Sequence, residues 1–132
     1  MISPSYGWAR QSSTIMDYRI DATNKILGRL ASDIALKLRG KNVPQFDPAK
    51  PETNLVTVFN TDKIRYTGSR KGTQKTYYRH SGYPGALKAE TLEHLMARDS
   101  RLVLKQAILG MLPKNKLRRN IIKNLKLAKR EI

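Results

Sequence analysis

The sequence predicts an α/β fold, and two strand-like segments that flank one amphipathic helix carry the prediction. Residues 18–22 (YRIDA) indicate a short strand, and residues 55–60 (LVTVFN) form an almost continuous apolar run. Such a run is typical of a strand covered on both faces. Between the two segments, apolar residues recur at helical spacing. Strand, helix and buried strand in this order predict a right-handed βαβ unit.

The helix of this unit is predicted to start after Thr23 or Asn24, whose side-chain oxygens can cap free backbone N–H groups, and to end at Gly40. Its apolar face comprises Leu27, Leu30, Ala31, Ile34 and Leu38. A neighbouring stripe carries small residues, namely Gly28, Ser32 and Ala35. This stripe is predicted to allow close approach to the sheet. A proline-containing loop, residues 42–53, follows the helix.

Two more strands and two more helices are predicted after the βαβ unit. The strands cover residues 63–68 (KIRYTG) and 75–80 (KTYYRH), and the glycine-bearing turn 68–72 joins them. One helix is predicted over residues 90–99, and another from about Arg101. The apolar face of the latter comprises Leu104, Ala107, Ile108 and Met111.

A final helix is predicted near residues 115–127, because Pro113 interrupts the preceding helical pattern. Its apolar side carries Leu117, Ile121 and Leu125. Its opposite side carries Lys116, Arg119, Lys123 and Lys126. We therefore expect an N-terminal extension (1–16), an α/β core domain (17–112) and a basic C-terminal helical tail (113–132).

The composition narrows the class of protein. A chain of 132 residues with 39% hydrophobic content is long enough for one folded domain with a modest core. The absence of cysteine excludes a disulfide scaffold and suits a reducing compartment. No apolar run approaches the roughly 20 residues of a membrane span. The N-terminus lacks the apolar region of a secretory signal and only faintly resembles an organellar transit peptide.

The dominant feature of the chain is positive charge. It has 26 Lys and Arg against 10 Asp and Glu, which gives a formal net charge of +16. Residues 63–88 contain seven basic residues and no acid, and residues 114–130 contain eight basic residues and no acid. Such a surplus favours a polyanionic partner. An anionic membrane would require a basic amphipathic helix with large apolar residues, so nucleic acid is the better prediction.

The stretch KTYYRHSGYPGALK (75–88) combines tyrosines with basic side chains, glycines and a proline. On a strand, Tyr78 faces the opposite way to Tyr77 and Arg79. Aromatic rings and guanidinium groups stack on exposed RNA bases, while glycine lets the backbone approach a phosphate or sugar. An alternative is that the tyrosines are half-buried packing residues, which we expect of at least one. The segment as a whole predicts RNA contact.

Signatures of catalysis and of nucleotide binding are sparse. The sequence has neither a Walker loop nor a G-x-G-x-x-G after the first strand. His80 and His94 lack the spacing of a metal-binding pair. Asp17, Asp21 and Asp62 are candidates for a metal-dependent nuclease site if they converge, although turn and capping roles explain them as well. We therefore predict no catalysis, no cofactor and no metal.

Four segments, taken in order, resemble the bacterial form of the L-thirteen family of large-subunit ribosomal proteins. They are IDATNKILGRLASDIALKLRGK (20–41), FNTDKIRYTG (59–68), KTYYRHSGYPGALK (75–88) and GMLPKNKLRR (110–119). The resemblance extends over about residues 17–127. It implies a three-layer α/β/α fold around a small, mainly parallel sheet, binding to large-subunit ribosomal RNA, and a role early in subunit assembly.

Carried onto this chain, the resemblance implies a set of RNA-binding residues. They are Arg39, Lys41, Thr67, Gly68, Arg70, Tyr78, Arg79, His80, Ser81, Gly82, Tyr83, Gly85, Lys114, Lys116 and Arg119. The charge pattern adds Lys71, Lys75, Lys88, Arg118, Lys123 and Lys126. Arg118 departs from the family, which usually has glycine there. Ala86 replaces the second glycine of the usual P-G-G, which predicts that position 86 does not need a positive φ.

The predicted function is that of a structural, non-catalytic constituent of a bacterial-type large ribosomal subunit. The expected partners are large-subunit ribosomal RNA and neighbouring ribosomal proteins, without a membrane, a small-molecule substrate or a second copy of the chain. The expected location is the cytoplasmic ribosome, in preference to an organellar one. A DNA-compacting architectural protein is the alternative that the charge alone permits.

Overall fold

The computed structural model describes residues 15–50 and 54–131. The first three elements are strand β1 (Asp17–Asp21), helix α1 (Leu27–Arg39) and strand β2 (Leu55–Phe59). β1 and β2 pair in parallel, with Asp17 opposite Leu55 and Asp21 opposite Phe59. The βαβ arrangement of two parallel strands around a helix is therefore confirmed.

Helix α1 begins later than predicted, because the residues before it are held in an extended conformation. Leu27 N donates to Arg65 O at 2.8 Å, and Arg65 N donates to Lys25 O at 3.0 Å. Thr23 and Asn24 do not cap the helix; Asn24 instead adopts a left-handed turn conformation with φ 58°. The predicted end at Gly40 is confirmed.

Gly40 ends α1 in a Schellman motif. Its φ is 76°, a left-handed value that favours glycine. The N–H of Gly40 donates to Lys37 O, and the N–H of Lys41 donates to Leu36 O, each at 3.1 Å. These bonds satisfy carbonyl groups that the end of the helix would otherwise leave without partners.

The core forms where α1, β2 and the following long helix meet. The predicted apolar face of α1 is confirmed, since Leu30, Ile34 and Leu38 are buried. Val56 and Val58 of β2 are fully buried against them. Burial of each such side chain stabilises the fold by about 1.5–3 kcal/mol. The small-residue stripe behaves differently, because Ala35 is buried while Gly28 and Ser32 are exposed rather than packed on the sheet.

The predicted strand at 63–68 is wrong. Asn60 takes a left-handed conformation with φ 59°, and a 3₁₀ turn (Thr61–Lys63) follows it directly. The chain is redirected there, and its strand-like pairing with the residues before α1 is limited to the bridge between Ile26 and Arg65. A short helix, α2 (Lys71–Gln74), replaces the second part of the predicted turn.

Strand β3 (Thr76–His80) is confirmed, but its partner was not predicted. β3 pairs antiparallel with β4 (Leu87–Thr91), with His80 opposite Leu87. Lys, Ala and Glu dominate β4 and have weak strand propensity, so the strand conformation there depends on pairing with β3.

Helix α3 (Leu92–Met111) follows β4 directly. Thr91 caps it, since its Oγ1 accepts a hydrogen bond from His94 N at 3.4 Å. Asp99 has non-helical φ and ψ of −157° and 100°, so a kink divides α3 where the sequence predicts the change from one helix to the next. Leu104 and Ile108 of the second half are fully buried, as predicted.

The predicted helical tail is wrong, because the basic C-terminal segment contributes a strand to the sheet. Helix α4 (Arg118–Ile121) leads through a 3₁₀ turn (Ile122–Asn124) into strand β5 (Leu125–Leu127). β5 pairs in parallel with β2, which gives the strand order β1-β2-β5. The strand conformation of residues 125–127 depends on this pairing with β2, because three residues of apolar–basic alternation are a weak signal on their own.

The side chains that the helix prediction assigned to the apolar side do reach the core. Ile121 is 5% exposed, and Leu117 and Leu125 pack against the same cluster. The α/β class with a small, mainly parallel sheet is thus confirmed. The proposed division at residue 113 stays a prediction, although β5 belongs to the same sheet as β1 and β2. Across the described ranges, no helix is both long and apolar enough to cross a membrane.

Candidate nucleic-acid interface

The hairpin formed by β3 and β4 presents one tyrosine to the protein and another to solvent. Tyr77 is half-buried and packs against the small cluster of Leu92, Leu95 and Val103. Burial raises the pKa of the Tyr77 hydroxyl above its ordinary value. Tyr78, the next residue, is 69% exposed. The predicted alternation is confirmed, and it anchors the hairpin while leaving a bare ring on its other face.

The end of the hairpin is a glycine-supported turn. Ala86 N donates to Tyr83 O at 3.2 Å, and the two residues between them are Pro84 and Gly85. Gly85 has φ 72°, so proline followed by a left-handed glycine matches a type II turn. Ala86 has no positive φ, as predicted from the departure at that position. The turn leaves the Tyr83 ring 75% exposed.

His80 is positioned by the backbone of the loop that follows it. Its Nδ1 accepts a hydrogen bond from Gly82 N at 2.9 Å, and Gly82 has φ 92°. With Nδ1 as the acceptor, a neutral imidazole carries its proton on Nε2. This exposed residue can therefore donate a hydrogen bond to an anion even when it is uncharged.

The segment before β3 is held in place by a close contact beneath α2. A Cβ at Gly72 would lie 2.9 Å from the Tyr66 hydroxyl, so any other residue there would force the Tyr66 side chain to shift. Gly68, with φ 98°, provides the sharp turn just before. The result is that Thr67, Arg70 and Lys71 are exposed on one loop beside the hairpin. The basic segment 67–75 and the hairpin are thus adjacent.

Two of the predicted residues lie at the other end of α1. The Arg39 guanidinium lies 5.4 Å from the centre of the Phe46 ring, a cation–π contact that holds it in place. Lys41 is exposed just beyond Gly40. A helix of this length spans about 20 Å, so this pair is separated from segment 67–75, which lies beside the start of α1.

The C-terminal predicted residues form a third basic region. All but the partly buried Arg118 are exposed: Lys114, Lys116, Arg119, Lys123 and Lys126. Asn115 Oδ1 accepts a hydrogen bond from Arg118 N at 3.2 Å, which orders the start of α4. Lys126 lies on β5, at the edge of the parallel sheet rather than in the hairpin. The predicted residues therefore occupy several sides of the molecule.

No acid in the described part of the chain forms an ion pair with a predicted basic residue. The ion pairs within residues 15–50 and 54–131 join Glu90 to His94 and Arg98, and Asp99 to Arg101 and Lys129. None of these cations belongs to the predicted RNA-binding set. The positive charge of that set is therefore available to an external anion.

Two of the three carboxylates that suggested a nuclease, Asp21 and Asp62, take part in hydrogen bonds that support the fold. Asp21 accepts hydrogen bonds from Thr23 Oγ1 (2.7 Å), Thr23 N (3.0 Å) and Asn60 Nδ2 (3.1 Å). The Thr23 hydroxyl is the main reason that the Asp21 pKa falls from 3.8 to about 2. Asp62 accepts a hydrogen bond from Ser100 Oγ at 2.5 Å. Among the described residues, no group of three or more His, Cys, Asp or Glu side chains is placed to hold a metal ion.

The two histidines also differ as expected. The His94 side chain is 72% exposed on α3, and its Nδ1 lies 2.8 Å from Glu90 Oε1. It is a surface histidine with a local partner. His80 alone lies among the exposed rings of the hairpin.

Sequence reasoning missed Leu87, the first residue of β4, which is 61% exposed beside the hairpin loop. Together with Tyr78 and Tyr83 it gives the hairpin three large, exposed apolar side chains. The sequence does contain a signal for the strand that carries Leu87. The Pro-Gly turn shortly after β3 indicates that the chain returns as a second strand.

A small α/β fold has the features of a nucleic-acid-binding protein when it carries exposed tyrosines, open glycine turns and, as in the described ranges here, surface cations outside any ion pair. Comparison with known sequences gives the family. The family described as ribosomal protein L13 matches residues 16–131. This chain belongs to that family, and the resemblance seen in the sequence is confirmed.

Individual relatives agree with the family match. The chain is 49% identical over 110 residues to the large ribosomal subunit protein uL13 of Syntrophobacter fumaroxidans, with 83% of this chain and 77% of the relative covered. It is 53% identical over 109 residues to the uL13 protein of Natranaerobius thermophilus, with 83% and 76% covered.

Proposed function

We propose that this chain is a structural constituent of the large ribosomal subunit that binds large-subunit ribosomal RNA, supports early subunit assembly and catalyses no reaction. Membership of the ribosomal protein L13 family supports the place in the subunit. The observation that carries the RNA-binding proposal is the hairpin, where exposed Tyr78 and Tyr83 stand among basic side chains that no acid of the described chain neutralises.

The hairpin would recognise RNA by stacking and by close backbone approach. Tyr78 and Tyr83 offer ring faces to unpaired bases, and each stacked base contributes about 1–3 kcal/mol. The left-handed glycines at 82 and 85 leave the loop backbone uncovered for contact with a sugar or phosphate. His80 adds an Nε2–H donor toward the same side.

The basic residues would supply most of the affinity. Each phosphate that a lysine or arginine neutralises releases counterions, so affinity falls as salt rises. Arg39 and Lys41, segment 67–75 and Lys126 occupy separate parts of the surface. This distribution favours contact with several RNA helices at once, which would fix their relative positions during assembly. The other proposed partners are neighbouring ribosomal proteins, and the proposed location is the cytoplasmic ribosome.

Sedimentation tests whether the protein is a component of the large ribosomal subunit. A cell lysate is separated on a gradient in moderate salt, and the protein is detected with an antibody. We expect co-migration with the large subunit, which high salt removes. Recovery wholly in the soluble or nucleoid fraction would contradict the proposal.

Equilibrium binding tests whether the protein neutralises phosphates and prefers RNA. If about eight phosphates are neutralised, the log–log dependence of rRNA affinity on salt has a slope near −6 to −7. Duplex DNA of matched length is the control and should bind more weakly. Equal affinity for the two would contradict recognition of RNA.

A further inference from the structure

A groove of about 770 Å³ lies between the first turns of α1 and the last turns of α3. Segment 66–75 and the base of the hairpin close it on a third side. We call it the α1–α3 groove. It takes in Thr67, Lys71 and Lys75 from the predicted RNA-binding set, but most of its wall belongs to residues outside that set.

The α1–α3 groove is positively charged. Arg29, Lys71 and Lys75 line it, and no aspartate or glutamate does. None of the three cations takes part in an ion pair within the described ranges. An anion placed there would meet three basic side chains and no repelling carboxylate.

The groove also has an apolar part. Leu27, Tyr77, Ala107 and Met111 line it, and Met111 is 44% exposed although it is a large apolar side chain. Thr67 and Gln106 add polar groups at its wall. An apolar surface beside cations suits a ligand that is both flat and anionic, as a nucleotide is.

Two glycines on opposite walls have no explanation among the residues that the structure describes. Gly28 of α1 and Gly110 of α3 lack a positive φ, and a Cβ built on either would meet no atom within 4 Å. Glycine is unfavourable in a helix relative to alanine, so the fold gains nothing from it at these positions. Both line the same groove. The small stripe that begins at Gly28 is predicted to approach the sheet, but the structure leaves Gly28 exposed in the groove instead.

We propose that the α1–α3 groove holds an unstacked, single-stranded segment of large-subunit ribosomal RNA. A base lies on the apolar part, and the adjoining phosphates lie against Arg29, Lys71 and Lys75. The bare backbone at Gly28 and Gly110 admits the sugar–phosphate chain. This inference rests on the RNA-binding function proposed above and adds a defined subsite to it.

Its position favours RNA over a peptide of a neighbouring protein. The groove shares Thr67, Lys71 and Lys75 with the predicted interface, and Met111 lies three residues before Lys114, where the second basic segment begins. A strand of RNA in the groove would therefore run between the two basic segments of the chain.

Filling the groove tests the proposal. Gly28→Leu and Gly110→Leu project a side chain into it from opposite walls, and each introduces a better helix former into open space. We expect melting temperatures no lower than that of the unmodified chain, and a dissociation constant for large-subunit rRNA about tenfold higher. Ala97→Leu is the matched control, because it adds the same side chain to an exposed position of α3 outside the groove. Its dissociation constant should not change.

Crosslinking gives a second readout. The full chain is bound to rRNA substituted with 4-thiouridine, irradiated and analysed by mass spectrometry. We expect crosslinks at Tyr66, Tyr77 or Met111, and we expect Gly110→Leu to abolish them while crosslinks at Tyr83 persist. If Gly110→Leu removes the crosslinks both in the groove and at Tyr83, the substitution acts on the whole interface. That result would contradict a separate subsite.

The outcomes separate this inference from the proposed function. One outcome is that the groove-filled variants bind rRNA as tightly as the unmodified chain, and that the unmodified chain forms no crosslinks in the groove. The groove is then not an RNA site, and the proposed function stands. If these variants bind rRNA normally but fail to enter large subunits, the occupant is a protein segment and the inference is wrong. If the unmodified chain does not bind rRNA, both proposals are wrong.

Discussion

Tyr77 and Tyr78 show how neighbouring residues of the same type take on different roles. Alternation along β3 turns the first toward the cluster of Leu92, Leu95 and Val103 and the second toward solvent. The Tyr77 ring contributes to stability and also lines the α1–α3 groove, whereas the Tyr78 ring is available for binding on the hairpin. Substitution of Tyr78 therefore tests binding separately from stability.

We expect Tyr78→Ala to weaken rRNA binding about tenfold without changing the melting temperature, because an exposed ring that stacks on a base is lost. Tyr77→Ala should lower the free energy of unfolding by about 2 kcal/mol, because a half-buried ring is removed. Filter binding and thermal unfolding measure the two effects. Tyr78→Phe, the control, keeps the ring and should bind normally. An unchanged affinity for Tyr78→Ala would exclude stacking by this residue.

Asp21 links the end of β1 to the turn before α1, and its pKa reports that link. The folded-state pKa of about 2 lies below the ordinary value of 3.8. The resulting stabilisation is therefore complete above about pH 4 and is lost as the pH falls toward 2. We expect Thr23→Val to raise the Asp21 pKa toward 3.8, because it removes the main hydrogen bond to the carboxylate.

An NMR titration of the Asp21 carboxyl carbon measures this change. Thr23→Ser is the control, since it retains the hydroxyl and should retain the low pKa. If Thr23→Val titrates as the unmodified chain does, the backbone N–H and the Asn60 amide are enough to hold the carboxylate.

At the scale of elements, the β3–β4 hairpin depends on its turn more than on its strands. Residues 78–85 and 87–89 are exposed, so few core contacts support this part of the hairpin. The type II turn at Pro84 and Gly85 therefore determines whether the tip holds its shape. A residue with a side chain at a left-handed position costs about 1–2 kcal/mol.

We expect Gly85→Ala to destabilise the tip by that amount and to leave the core intact. Hydrogen exchange should accelerate for amides of residues 78–89 and stay unchanged in α1. Binding to rRNA should weaken several-fold because the loop is less often in its binding conformation. Ala86→Ser, at a position without positive φ, is the matched control. If the amides of residues 78–89 exchange equally slowly in Gly85→Ala and Ala86→Ser, the strands alone hold the turn.

Elements with a local signal are predictable from the sequence, and elements that depend on a distant partner are not. The spacing of Leu30, Ile34 and Leu38 and the cap at Gly40 act within one helix, so α1 is predictable apart from its start. β4 and β5 take strand conformation from β3 and β2, and three residues of β5 are too few to outweigh helical spacing. The tyrosines and glycines of the hairpin can be recognised from the sequence as candidate binding residues, because their residue types alone suggest the role. The α1–α3 groove is not, because it exists only once α1 and α3 pack together.

For the whole molecule, the net charge of +16 acts in opposite directions on stability and on binding. Like charges repel in the compact state, and salt screens that repulsion, since the Debye length shortens from about 30 Å at 0.01 M to about 10 Å at 0.1 M. We expect the melting temperature of the free protein to rise with KCl over this range, while its affinity for rRNA falls. Calorimetry and filter binding in the same buffers measure both. A melting temperature that falls with KCl would mean that attractive pairs outweigh the repulsion.

The parallel pairing of β5 with β2 also has a consequence for the time course of synthesis. Val56 lies opposite Leu125, about 70 residues later in the chain, so the sheet is completed by a contact that is distant in sequence. While the nascent chain grows, β2 has β1 on one edge and an unpaired edge on the other. The three-stranded sheet is therefore completed only when translation has passed residue 127, and until then the open edge of β2 is exposed to misassembly.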